Sequence, residues 1–165
     1  MKKVISFVLA AVLALSMVAC GGGEDAKSYD VAAVAKTIED AVPIRMPVPV
    51  DAEYLNYLSI TEDMYESFAG SFTMISPGVD IIVAIEAKEG KVEDVKAALQ
   101  AQKDYLAATN ENYIRSDFDK ANAGRLVVKG NVVLLVIAGD QIVVEDQGVE
   151  KAYEPVDAAI EEAFK

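Results

Sequence analysis

Val132-Val133-Leu134-Leu135-Val136-Ile137-Ala138 is the stretch that decides the fold. Side chains alternate between the two faces of a strand, so Val132, Leu134 and Val136 share one side and Val133, Leu135 and Ile137 the other. Both sides are apolar. A strand with no polar face belongs at the middle of a sheet, covered on both sides or nearly so. Just upstream, Gly130-Asn131 is turn chemistry and residues 125–129 read as a partner strand, which makes a hairpin. Downstream, Gly139-Asp140 is expected to turn into a short further strand, Ile142 to Glu145.

A second hairpin lies earlier in the chain. Between Glu66 and Ile75, Phe68, Phe72 and Met74 fall on one face with Gly70 between them, and Ser67, Ser71 and Thr73 fall on the other. Ser76-Pro77-Gly78 is a turn. From Val79 to Ala87 the alternation resumes, with Val79, Ile81, Val83, Ile85 and Ala87 together and Asp80 and Glu86 opposite. A two-residue Pro-Gly connection has the wrong twist for a hairpin, so a slightly longer loop is expected.

Helices fill the intervals. Asp30 caps a helix through residue 42, whose Val31, Val34, Ile38 and Val42 recur at steps of three and four. Pro43, Pro47 and Pro49 then force extended backbone, and prolines cannot donate to a ladder, so this is an edge-like crossing segment. Asp51 to Leu58 reads as a short helix. Lys91 to about Tyr113 is the longest, with Val92, Val95, Leu99, Leu106 and Tyr113 inward, and residues 116–122 read as a polar connection. In the last helix, Val149, Ala152, Tyr153, Val156, Ile160, Ala163 and Phe164 hold one register across Pro155. That proline either starts the helix or kinks one begun at Gly148, and the unbroken stripe favours the kinked form. The expected class is α+β: an antiparallel sheet of four to five strands built from two hairpins and packed with helices, in the order α-β-β-α-β-β-α.

The first twenty residues carry a different signal. Lys2 and Lys3 precede an almost unbroken apolar run from Val4 to Leu15, then Ser16-Met17-Val18-Ala19, then Cys20 and three glycines. This is the three-part layout of a secretory signal, and the run is shorter than the ~20 apolar residues of a spanning helix. The cysteine directly after a small residue resembles the bacterial lipobox. That resemblance implies cleavage before Cys20 and a diacylglycerol thioether on its sulfur. The expected division is a signal peptide over 1–19, the lipidated cysteine and a flexible tether over 20–29, and one domain over 30–165. The expected location is the extracytoplasmic face of the cell membrane.

Composition narrows the function classes. The chain has 15 Lys and Arg against 27 Asp and Glu, net −12, and loss of the two leader lysines takes the mature chain to −14. Such a surface argues against nucleic acid, whose binding rests on cations neutralising phosphates, and leaves membrane attachment to the lipid. Cys20 is the only cysteine, so no intramolecular disulfide can form. Histidine is absent, which removes the usual general base, the Ser-His and Cys-His pairs and the commonest transition-metal ligand.

From Tyr57 onward the sequence resembles a family of small lipoproteins built on domain of unknown function 4358. The residues that carry the likeness are the lipobox with its glycines, Tyr57-Leu58-Ser59-Ile60 before an acidic turn, and Val79-Asp80-Ile81-Ile82-Val83-Ala84-Ile85-Glu86-Ala87-Lys88 leading into Lys91-Val92-Glu93-Asp94-Val95. The hairpin Val127-Val128-Lys129-Gly130-Asn131 completes it. The chain departs from the pattern at Val132, where an aromatic often follows the turn, and in a longer segment from Gln141 to Gln147. The resemblance implies a location and an architecture, and transfers no catalytic residues.

No constellation in the sequence marks a catalytic centre, a cofactor or a metal. Adjacent acids such as Glu62-Asp63, Glu93-Asp94, Glu145-Asp146 and Glu161-Glu162 follow from the abundance of carboxylates. A calcium loop over Asp117–Gly124 fails because Ala121 and Asn122 stand where oxygen and glycine are needed and Lys120 sits among the ligands. Tyr54, Tyr57 and Tyr65, close to Phe68 and Phe72, are the candidate ligand or partner surface, against the plainer reading of tyrosines at the rim of a core. The expected function is a non-enzymatic lipid-anchored module binding a protein or small molecule. The alternatives are a carboxylate-dependent hydrolase of cell-wall glycan and a purely structural envelope lipoprotein.

Overall fold

The structure, a computed structural model, describes residues 28–165; the leader over 1–19, Cys20 and the tether as far as residue 27 lie outside the described residues. In chain order the elements are α1 (Val31–Ala41), β1 (Pro47–Pro49), α2 (Ala52–Tyr57), β2 (Tyr65–Thr73), β3 (Ile81–Ala87), α3 (Val92–Asn110), α4 (Arg115–Ala123), β4 (Arg125–Lys129), β5 (Val132–Ile137), α5 (Gln141–Gln147) and α6 (Val149–Ala163). The strands form one antiparallel sheet in the order β1-β2-β3-β5-β4. The two hairpins, β2-β3 and β4-β5, meet where β3 pairs with β5, Ile81 opposite Ile137 and Ile85 opposite Val133.

The residues of β5 are all buried, as a strand apolar on both sides requires. Val133, Leu135 and Ile137 join Ile81, Val83 and Ile85 in a core closed by α2 and α3, through Leu55, Val95 and Leu99. Val132, Leu134 and Val136 join Ile82 and Ala84 in a second core closed by α1 and α6, through Val34, Ile38, Tyr153 and Val156. The domain is therefore α+β in three layers, with helices on both faces of an antiparallel sheet. At Gly70 of β2, with φ +142°, a Cβ would stand 2.0 Å from the Ile82 carbonyl oxygen. Only glycine fits against β3 there.

Local chemistry sets the helix boundaries. Asp30 accepts from Ala32 N at 2.9 Å, and Asp51 accepts from Tyr54 N at 2.8 Å. Each bond satisfies an orphan N–H of a first turn. The last helix begins at Val149 and contains Pro155, so the start at Gly148 is the correct alternative. Pro43, Pro47 and Pro49 do deliver an edge strand, β1.

Four expectations are corrected. Residues 116–122 are no connection but most of α4, with Ser116, Asp117, Lys120 and Ala121 buried. Its buried face is polar, so apolar periodicity cannot reveal it. The strand expected from Ile142 to Glu145 is the helix α5, because Asp140 accepts from both Ile142 N and Val143 N and so caps a first turn. The long helix ends at Asn110, and Tyr113 points outward. Met74 does not join Phe68 and Phe72: β2 ends at Thr73, and Met74 is 60 % exposed beyond it.

Candidate functional site

Tyr29, just ahead of α1, meets the ring of Phe164 at the end of α6, edge to face at 5.0 Å. The N and C termini of the domain thus lie at one end. The other end lies beyond the last turn of α1, roughly 16 Å away for a helix rising about 1.5 Å per residue. There the loop Pro43–Met46 leaves α1, crosses the sheet end and enters β1. It is held by Thr73 Oγ1 donating to the Arg45 carbonyl at 2.7 Å and by Met74 N donating to the Met46 carbonyl at 3.2 Å. Met46 takes a positive φ of 47°, a conformation rare outside glycine.

Cavities lie on both sides of this loop. One, of about 210 Å³, is bordered by Ile44, Arg45, Asp80, Lys120, Asp140 and Ile142. Another, of about 410 Å³, lies between the end of α1 and the β1 edge and is lined by Pro43, Ile44, Pro47, Pro49, Gly70, Ser71 and Glu39. A third, of about 270 Å³, continues from Pro43 toward Asp140 and Pro155. Together these cavities around one loop make this end of the domain a cleft.

The floor of the smallest cavity is a buried ionic cluster. Lys120 is only 1 % exposed; its Nζ donates to Asp80 Oδ1 at 2.7 Å and lies 3.6 Å from Asp117 Oδ1. Burial pushes the Asp117 carboxyl above the ordinary value, against the pull of the Lys120 ammonium, and the neighbouring Asp80 charge adds to the rise. Tyr153 from α6 donates its hydroxyl to the Lys120 carbonyl at 2.7 Å, and burial raises that phenol as well. Arg125 stacks on the Tyr153 ring at 4.6 Å and grips Asp157 with two N–H groups at 2.7 and 2.8 Å, the two-pronged geometry that suits a guanidinium to a carboxylate. So α4, α6 and the entry to β3 are tied at one point. The one ammonium thus lies within ion-pair distance of both carboxyls.

The tyrosines singled out from sequence lie on the opposite face, against the α2 and α3 core. Tyr54 stacks on Phe72 with centroids 4.0 Å apart, and burial together with the nearby Tyr57 raises its phenol to about 12. Tyr57 sits 6.3 Å from Tyr54 and is 67 % exposed. Tyr65 meets Phe68 edge to face at 5.1 Å. Phe68 and Phe72 are four residues apart on β2, a separation of about 13 Å, so Tyr54 and Tyr57 form one group and Tyr65 stands apart. Cys20 lies outside the described residues. The sequence reading missed Glu39, Asp80 and Lys120 as groups facing cavities, since no spacing links α1, β3 and α4.

Among the described residues no helix is long and apolar enough to cross a membrane, and no group of three or more Cys, Asp or Glu could hold a metal ion. No curated protein and no solved structure matches the chain. The family described as Domain of unknown function (DUF4358) matches residues 40–138, from the end of α1 through β5. That span takes in the whole sheet and the crossing loop, and the chain belongs to this family.

Proposed function

We propose that this protein is a lipid-anchored, extracytoplasmic binding module without catalytic activity, and that its ligand seat is the cleft around the loop Pro43–Met46. The observation that carries the reading is the set of cavities flanking one loop, beyond the end of α1 opposite the domain's N terminus. Two of them have volumes of about 210 and 410 Å³, and the larger falls within the range of small-molecule sites. The pattern Met1–Cys20 supports the anchor: a leader, a small residue and then the only cysteine of the chain.

A photoreactive residue in place of Ile44 in intact cells tests the seat, with the same residue at Tyr57 as comparison. A repeatable adduct at Ile44 is expected. Adducts at Tyr57 alone would move the binding surface to the tyrosines, and none at either position would overturn the binding reading. Mass spectrometry of the native N-terminal peptide tests the anchor: a diacylglycerol adduct on Cys20 is expected, and an intact leader or a bare thiol refutes it.

A further inference from the structure

We infer that the larger cavity is a site for a small aliphatic amine, with Glu39 as the counter-ion of its ammonium. This deepens the binding reading above by giving the ligand a chemical class. The walls are Pro43, Ile44, Pro47 and Pro49, all apolar, and the floor is Gly70 and Ser71. Among the described residues Glu39 is the one charged group in the lining, and no lysine or arginine borders the cavity. Buried Ser71 donates its hydroxyl to Glu39 Oε1 at 2.5 Å and so fixes the carboxylate toward the floor. A carboxylate has about four acceptor sites, and this bond uses one. The nearest lysine on the same helix, Lys36, is engaged elsewhere, its Nζ 2.7 Å from Asp40 Oδ2.

Glu39 is half-buried at the edge of an apolar recess, where an ammonium would gain a charge-assisted hydrogen bond. The occupant that matches is an ammonium for Glu39 on a short hydrocarbon chain for the prolines. An anion of the same length would meet like charge, at Glu39 and in the field of an acidic protein; the same field concentrates cations at the opening. The shape of the edge excludes an extended peptide. Val50 N donates to the Gly70 carbonyl and Met46 O accepts from Met74 N, so alternate residues of β1 turn toward β2. The two residues turned outward are Pro47 and Pro49, which have no N–H to offer a further strand. Their rings also hold the wall rigid, which reduces the ordering cost of binding.

The test is calorimetric titration of the full-length chain in detergent with 1,5-diaminopentane, beside 1-pentanol and pentanoate. Saturable one-site binding of the diamine is expected, at least tenfold tighter than either comparison compound. Glu39→Gln should weaken it tenfold or more, and Glu53→Gln, which removes an exposed carboxylate outside the cavity, should leave it unchanged. Ile44→Lys places an ammonium of the chain itself at the cavity and should block the diamine, so the result does not depend on Glu39→Gln folding well. Equal weakening by Glu53→Gln, several sites erased by salt, or pentanoate binding as well as the diamine would overturn the assignment. A repeatable adduct at Ile44 in cells without diamine binding would remove the amine and leave the binding module standing.

Discussion

Replacing Lys120 by methionine preserves most of the side-chain volume and deletes only the charge, so it isolates what the buried ammonium contributes. In the native protein Nζ lies 2.7 Å from Asp80 and 3.6 Å from Asp117, with all three side chains nearly inaccessible. Removing one partner of a buried ion pair costs about 3–5 kcal/mol, because the remaining charge is left without compensation. Here two carboxylates remain, but Asp117 can shed its charge by taking a proton, a change that burial already favours. The expected loss is therefore near the lower end, about 3 kcal/mol. For a domain of this size that is a fall in Tm of roughly 10–15 °C. Urea unfolding of the wild type, Lys120→Met, Asp80→Asn and the double variant measures it. The double variant should recover much of the loss, because replacing a whole buried pair with uncharged groups is often neutral. A loss below about 1 kcal/mol for Lys120→Met, with simple additivity in the double variant, would refute the view that this cluster is desolvated and coupled.

The other predictions test separate parts of the structure. The Asp117 carboxyl is raised in the folded state, so its contribution is fully present below its unfolded value of 3.8 and is lost as pH rises through the folded value. Asp117→Asn should therefore gain on the wild type as pH rises across that window and hold a constant advantage above it; urea titrations from pH 3 to 8 showing the reverse slope would contradict this. Gly70→Ala drives a methyl group into the Ile82 carbonyl at a φ that disfavours alanine, and a loss of about 2–5 kcal/mol in urea unfolding is expected. Pro155 interrupts the α6 ladder, so Pro155→Ala should raise stability by about 1–3 kcal/mol, and a lower Tm would show that the helix needs the proline.

The parts of the fold that could be read in the sequence are those whose buried face is apolar. In β5 every residue is apolar, and burial on both faces follows from that alone. In α1 the valines and Ile38 fall at helical spacing, and Asp30 marks the start. The last helix reads the same way, because Tyr153 and Val156 keep register through Pro155. Where the buried face is polar, the same reasoning is blind. Helix α4 buries Ser116, Asp117 and Lys120, so a search for apolar periodicity passes over it. In α5 the run Ile142-Val143-Val144 has strand propensity, yet Asp140 accepts from the first two N–H groups and settles the helix. That cap was the one available clue. The cleft was illegible for a further reason: Glu39, Asp80 and Lys120 meet cavities only after three elements distant in sequence come to one end of the sheet, and no local pattern encodes such a meeting.

The same placement explains why the ionic cluster sits where it does. The entry to β3, the middle of α4 and the β5–α5 connection all converge at the cleft end, and none brings an apolar face to it. Asp80 precedes the apolar run of β3, Lys120 reaches it from α4, and Gly139–Asp140 closes the side. An apolar plug of similar volume could hold these elements at no greater cost, so stability alone does not require the charges. What the charges supply is a fixed polar floor under a cavity. Lys120 is tied through its side chain to β3 and through its carbonyl to Tyr153 of α6. A floor anchored at both points cannot shift without breaking a buried hydrogen bond. The loop above it is joined to the sheet through the Arg45 and Met46 carbonyls and to the second core through Ile44, and carries a positive φ at Met46. The floor of this cavity is therefore fixed from two sides, by β3 and by α6.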